Sequence, residues 1–519
     1  MGKHHHSRRE ILSRISVLGS GTLLTSAVNP GWGQTSPRGA LRARIRDGAT
    51  NQPTSAKVRI VHSSTGAEFW PESCIKTMPR KPKPGGRRYF YAVGEFEAAL
   101  PPGDYQVEIV RGIAHDAVRR QVRVAAGATL DLELSIPVLR DMHAAGWYSG
   151  NTHTHYQLEM DEDPDDHLRV VPPAEALDLS VLSYLIRQDL KYISNKYPIG
   201  RLPEFSKNGT LIDMGEEARN NKGPYDFGYG HVLFLNIPRL VEPVSTGLLS
   251  PIPNAPDFPT ISMLCDDAKS LGGTTIWCHN GQGMELPVAA ALGSVDAFNV
   301  GDAEPGEYSR YYQFLNCGFR MPISTGTDWY IYDHNRVFVQ TGGAFTYESW
   351  LAGLRAGRSF ITSGPLLQFE VNRQGPGGEV TGPARLKIRA GATSRLPFDR
   401  LEIVHDGEVV ASAPSSSGRD ASIETELPFE TPGWIAARVS SDFVTHGGYR
   451  IFAHTNPVWL KGAGRPARQR DAARAFVNEL TESIAYIAKL YRFRSQADSA
   501  IALGRFEKGL RYYQQLAAG

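Results

Sequence analysis

Between residues 40 and 136 apolar and polar side chains alternate with a period of two, as in Ala56-Lys57-Val58-Arg59-Ile60-Val61 and Tyr105-Gln106-Val107-Glu108-Ile109. Alternation places one face of each strand in a core and the other in water, so this stretch predicts a small β-sandwich. Leu100-Pro101-Pro102-Gly103-Asp104 supplies a turn between two such strands. From 145 to 366 the pattern changes: short apolar runs alternate with stretches of helical period. Strands are predicted over 179–182, 211–214, 232–237, 274–278, 297–300 and 321–324, and helices over 262–270, 287–292, 308–316 and 347–356. That order predicts a parallel α/β arrangement, which places its chemistry just past the strand ends. Alternation returns from 367 to 460, with an Asp406-Gly407 hairpin signal, and predicts a second β-sandwich. The tail, 465–519, carries Phe476, Leu480, Ile484, Ile487 and Leu490 at helical spacing and predicts helices that pack on another domain.

Composition narrows this only a little. The 519 residues suggest about three domains. A net charge of +2 gives no argument for nucleic acid as a partner. The basic, Pro- and Gly-rich run 79–88 reads as a solvated loop. Cys74, Cys265, Cys278 and Cys317 form no CxxC pair, which argues against a zinc ribbon or a disulfide framework. Residues 1–34 read as an export signal, because Ser7-Arg8-Arg9-Glu10-Ile11-Leu12 resembles the twin-arginine motif and a mildly apolar run follows. This predicts a periplasmic or secreted protein without stable membrane insertion. The sequence leaves the oligomeric state open.

The chemistry is carried by strand ends. Trp147-Tyr148-Ser149-Gly150-Asn151-Thr152-His153-Thr154-His155 reads as a strand whose two histidines, at i and i+2, point to one face. Neutral imidazole is the commonest metal ligand, so the pair is a candidate metal site. Further candidates follow in order. Asp213-Met214-Gly215-Glu216-Glu217 ends a strand in carboxylates, and Gly230-His231 opens one. Cys278-His279 closes another, and Ser324-Thr325-Gly326-Thr327-Asp328 runs from a strand into an aspartate. Taken singly, each has an ordinary structural alternative: an exposed loop carboxylate for Glu217, a satisfied strand-end imidazole for His231, a helix N-cap for Asp328.

Taken in order, the set H-x-H, G-x-E, G-H, strand-His and late Asp resembles the polymerase and histidinol phosphatase (PHP) superfamily of metal-dependent hydrolases, and in particular its carbaryl-hydrolase-like (CehA/McbA-type) branch. Ala356-Gly357-Arg358-Ser359-Phe360-Ile361-Thr362-Ser363-Gly364-Pro365 and Trp434-Ile435-Ala436-Ala437-Arg438 share in that resemblance. It implies a distorted (β/α)7-type barrel, here flanked by two β-sandwiches and a helical tail. It also implies one or more divalent cations, zinc, manganese or iron, held by His153, His155, Glu217, His231, His279 and Asp328. The chain departs from the superfamily at two places. Ser183-Tyr184-Leu185-Ile186-Arg187 stands where a D-H pair is usual, and Asp328-Trp329-Tyr330 stands where D-x-H is usual. Both departures remove ligands and favour one or two ions over three. Asp333-His334, or a carboxylate from the acidic run 159–166, is a possible substitute ligand.

The activity that follows is hydrolysis of an ester, carbamate or amide bond of a small molecule. Asp328 would orient or deprotonate water, and His279 or Tyr330 would protonate the leaving group. Arg187 is a candidate for an anionic substrate group, and Asn280, Glu285, Asn299 and Asp302 are candidates for the cleft wall. Two other readings stand beside it: a phosphoesterase, and a non-catalytic exported binding module with a degenerate metal site.

Overall fold

The computed structural model describes residues 37–77, 87–157, 163–222, 227–300, 308–329, 335–382 and 384–519. The export-signal reading of 1–34 falls outside them. The alternating residues at the start of the chain form one eight-stranded sheet. In it Gly39–Asp47 runs antiparallel to Glu95–Leu100 and parallel to Thr129–Ile136. The inward positions, Leu41, Ile45, Val58, Ile60, Val107 and Ile109, close a core of their own.

The central region corrects the (β/α)7-type barrel expectation. Two runs are parallel: Trp147–Thr154 with Leu179–Tyr184 and Leu211–Asn221, and Thr274–Trp277 with Ala297–Asn299 and Ile323–Ser324. Between them Gly230–Leu235 is antiparallel to both of its neighbours, and Arg336–Gln340 is antiparallel to both Trp147–Thr154 and Ser359–Thr362. An antiparallel neighbour does not require a crossover helix, so these pairings depart from the parallel order that a (β/α)7-type barrel needs. Strand residues outnumber helical ones across the described chain. The sheet is a curved mixed wall, and it does not stop at residue 366. Ser359–Thr362 pairs with Ala453–Thr455, which pairs with Gly433–Ser440. The second sandwich therefore has one sheet of its own, Leu366–Val371, Arg385–Thr393 and Asp420–Pro428, and shares the other with the central region. Leu366, Leu386, Ile388, Leu401, Ile435 and Val458 fill the space between.

The tail forms two helices, Gln469–Leu490 and Gln496–Ala518. The Phe476 ring lies 4.6 Å from Phe314 on the Ser309–Asn316 helix, and the Tyr513 hydroxyl donates to the Pro287 carbonyl (3.0 Å). The tail thus covers the outer helices of the central sheet.

A buried ion network joins the first sheet to the central region. Glu175, the residue after the Pro164–Ala174 helix, meets the Lys57 ammonium at 2.7 Å, with both side chains almost wholly buried. The Arg336 guanidinium donates to the Glu175 carbonyl (2.6 Å) and lies 3.5 Å from its carboxylate, and the Tyr91 hydroxyl donates to the same carboxylate (3.2 Å).

Two buried histidines predict how the fold responds to acid. His167 takes a hydrogen bond from the Tyr156 hydroxyl (2.8 Å). The His454 Nδ1–H donates to the Thr455 carbonyl (2.6 Å), and its Nε2 accepts from the Tyr312 hydroxyl (2.7 Å). Burial pushes each down to about 3. Below the ordinary histidine value the unfolded chain takes up protons that these two rings refuse. Stability is therefore complete above about pH 6.5 and falls as pH drops toward 3, by about 1.4 kcal/mol per pH unit for each ring. Chemical denaturation between pH 7 and 4 is expected to show a shallower decline in the His167→Gln/His454→Gln variant. An unchanged slope would rule out these rings as the cause.

Candidate metal centre

A bulge prepares the H-x-H strand. Asn151 lies opposite Ser180 and Thr154 opposite Leu182, so Thr152 and His153 together face one residue. Bulges re-aim side chains, and this one sits where the strand turns its imidazoles inward. His153 Nε2 and His155 Nε2 are 3.1 Å apart. Glu217 Oε2 lies 2.8 Å from His155 Nε2 and 3.4 Å from His153 Nε2. Asp328 Oδ1 completes this group at 3.3 Å from His153 and 3.7 Å from His155. The other carboxylate oxygen, Glu217 Oε1, faces a second group, 3.0 Å from His231 Nδ1 and 3.6 Å from His279 Nε2. The structure thus brings the six sequence-selected residues into two adjoining clusters with Glu217 common to both, and each cluster could hold a metal ion.

The distances fit a cation. Ligand bonds of about 2.0–2.1 Å give a tetrahedron whose edges are roughly 3.3 Å. The spacings here run from 2.8 to 3.7 Å. Glu217 Oε1 and His231 Nδ1 are buried, and among the described residues neither has a hydrogen-bond partner. Two lone-pair atoms facing each other without a proton on line between them are the arrangement that a cation satisfies.

The rings are held in the tautomer a metal needs. The His155 Nδ1–H donates to the Ser183 carbonyl (2.9 Å), which leaves Nε2 bare. The His231 Nε2 lies 3.1 Å from Asn221 Oδ1, and that oxygen also accepts from Arg219 Nε (3.0 Å). Arg219 Nη2 is 3.3 Å from the same His231 nitrogen and competes for it. The lack of a hydrogen bond at Nδ1 decides in favour of Nε2–H to Asn221, with Nδ1 presented to the centre. Burial and the Arg219 charge hold His231 well below the usual histidine range, so its ring is neutral. Asn221→Ala is expected to weaken metal affinity about 10- to 100-fold without unfolding the chain. Competition with a chelator would measure this, and unchanged affinity would exclude the supporting role.

Backbone strain places the last two ligands. His279 and Asn280 have φ of 53° and 55°, and Asp328 has φ of 63°, all in the left-handed region that side chains avoid. The Thr327 and Asp328 amides both donate to the His153 carbonyl (3.1 and 2.9 Å), which ties the aspartate loop to the H-x-H strand. Gly326 allows that approach, since a Cβ there would lie 2.4 Å from the Cβ of His153.

The other sequence candidates are not among the ligand clusters. Arg187 is paired with Asp189 (2.6 Å). Glu285 caps the Ile261–Ser270 helix, accepting from the Ile261 amide (2.7 Å) and the Ser262 hydroxyl (2.5 Å). Asp163 caps the Pro164–Ala174 helix, and Asp165 pairs with Lys196 (2.6 Å). Tyr330, Asp302, Asp333-His334 and the 159–162 part of the acidic run fall outside the described residues. Cys278 is buried and reduced. Sequence reasoning missed Arg219, Asn221 and Tyr192. The Tyr192 ring stands 5.2 Å from His155, and burial raises its hydroxyl. Arg219 and Asn221 share the face of Glu217 because they follow it at i+2 and i+4 in one strand. That signal is visible once the strand is carried through to Asn221.

No protein-family model matches the sequence, nor does any curated protein sequence. Among solved structures the chain is similar to the minor pilin GBS52 of Streptococcus agalactiae, at 11% identity over 21% of this chain and 47% of that one, with a TM-score of 0.17. It is also similar to the TIE protein of Bacillus anthracis, at 9% identity over 83% of this chain and 51% of that one, with a TM-score of 0.14. A glycosyl hydrolase family 2 member from Bacteroides cellulosilyticus matches at 11% identity over 83% of this chain and 60% of that one, with a TM-score of 0.18. The chain spans between 47% and 60% of the length of these three. Likenesses of this size carry no argument about its chemistry.

Proposed function

We propose that the chain is an exported, metal-dependent hydrolase of the PHP type in its ligand set, cleaving an ester, carbamate or amide bond of a small molecule. One observation carries the reading: four imidazoles and two carboxylates converge, with Glu217 placed between two ligand groups. The ions are one or two of zinc, manganese or iron; the imidazole-rich set suits zinc best. When bound, a divalent cation supplies Lewis acidity to the scissile group and acidifies water to near neutrality. The remaining work belongs to side chains. Asp328 and His279 are the two ligating residues with side chains reaching solvent, 14% and 11% exposed. Asp328 takes the proton of the attacking water, and His279 faces the leaving group. The Tyr192 ring stands 5.2 Å from that of His155, and its hydroxyl, kept protonated by burial, is a further candidate donor.

A phosphoesterase is the second reading. Arg219, buried beside His231, lies within electrostatic reach of Glu217, Asp328 and Arg187, so two guanidiniums stand near the centre. The test is elemental analysis of wild type beside His153→Ala, followed by a screen of aryl esters, carbamates, amides and phosphoesters on both. Stoichiometric metal in wild type, lost in the variant together with turnover of one class, supports the proposal. Metal-free wild type without turnover leaves the non-catalytic module.

A further inference from the structure

We infer that Asn299 is a substrate-binding residue of this centre, and that it recognises a carbonyl with an N–H beside it, the edge of an amide, urea or carbamate; the inference rests on the hydrolase reading for its purpose but not for its test. Asn299 ends the Ala297–Asn299 strand and is fully buried. Among the described residues its Oδ1 and its Nδ2 both lack a hydrogen-bond partner. Leaving an amide dry and unpaired at both ends is costly, and most buried amides avoid it.

The register says where this amide points. Residues directly across a ladder share a face. Arg219 lies opposite His231. Val232 lies opposite Trp277, and the Cys278 amide donates to the His231 carbonyl (3.1 Å), so Cys278 continues the row. Ile276 lies opposite Ala297 and Trp277 opposite Phe298, which carries the row to Asn299, and Asn299 lies opposite Ser324. Asn299 therefore faces the side that Glu217, Arg219 and His231 face. It stands between the strand that delivers His279 and the strand that leads to Asp328. The neighbours do not satisfy it: Ser324 is turned to Thr152 (3.1 Å), and Phe298, on the opposite face, packs on Tyr311 (5.4 Å). An amide with donor and acceptor both free pairs best with a second amide edge, one N–H to its Oδ1 and one carbonyl from its Nδ2. An ester, which presents acceptors alone, leaves the Oδ1 unpaired.

The test is calorimetric titration of the metal-loaded full chain with phenylurea and with acetophenone, a pair that shares the ring and carbonyl but differs in the N–H. Wild type is expected to prefer phenylurea by about tenfold. Asn299→Leu is expected to lose that preference, keep its metal content and melt no lower than wild type, because it removes two unpaired polar atoms. Asn299→Ala serves if the leucine does not fold. Equal affinity of wild type for the two ligands, or a preference that survives both substitutions, overturns the inference. So does a lower melting temperature with parallel loss of both ligands. Preference without turnover of any substrate supports it and overturns only the hydrolase reading.

Discussion

Glu217→Gln is expected to strip the centre of most of its metal and to cut hydrolysis by about a thousandfold or more. The carboxylate is the one group shared by both ligand clusters, so its loss affects both at once. It also supplies half of the negative charge that the six ligands offer, and it does so from a fully buried position. Metal-ion catalysis is worth several kcal/mol of barrier, and each 1.36 kcal/mol is tenfold in rate, which sets the magnitude. Glutamine keeps the volume and one acceptor oxygen, so packing is preserved. Elemental analysis and initial rates on the same preparation measure both effects. Retention of full metal and full turnover would remove Glu217 from the chemistry, and with it the two-cluster arrangement.

Glu175→Gln is expected to destabilise the protein by about 3–5 kcal/mol, through a different route. Removing one partner of a buried ion pair leaves the other charge uncompensated in a medium that solvates it poorly. Here two cations would be stranded, the Lys57 ammonium and the Arg336 guanidinium, and they belong to different parts of the fold. Lys57→Met is milder, because Arg336 stays with its carboxylate. Lys57→Met/Glu175→Leu is expected to recover part of the loss, since less charge remains to be desolvated. Denaturant unfolding of the three variants ranks them. A Glu175→Gln loss under about 1 kcal/mol would show that water reaches the network.

The site was more legible in the sequence than the fold. His153, His155, His231, His279 and Asp328 sit at or just past strand ends, where apolar runs break into polar residues, and that break is a one-dimensional signal; Glu217 was found by the same break, although its strand continues to Asn221. The helices were legible for a similar reason: Ile261–Ser270 and Ser309–Asn316 lie within a residue of their predicted starts, set by a 3.6-residue period that needs no partner. Strand direction has no such signal. Val232-Leu233-Phe234-Leu235 is buried on both faces and reads alike whether its neighbours run parallel or antiparallel, so the mixed sheet was read as a parallel one. Supporting residues were harder still. Asn221 earns its role from Oδ1 meeting a ring nitrogen of His231, ten positions away, a contact fixed by the antiparallel pairing itself. The pairing of Arg187 with Asp189, two positions on, was equally invisible, because a sequence does not show which partner an arginine takes.

The pairing of Ser359–Thr362 with Ala453–Thr455 bears on how such a protein could have arisen and be altered. Backbone amides and carbonyls there bridge what would otherwise be two separable modules. Cutting the chain near residue 366 would expose a row of raw ladder groups, the kind of edge on which chains clump. The C-terminal part is therefore better regarded as the outer rim of the wall that holds the histidines than as a detachable appendage, and changes at that rim are felt along the strands that carry them.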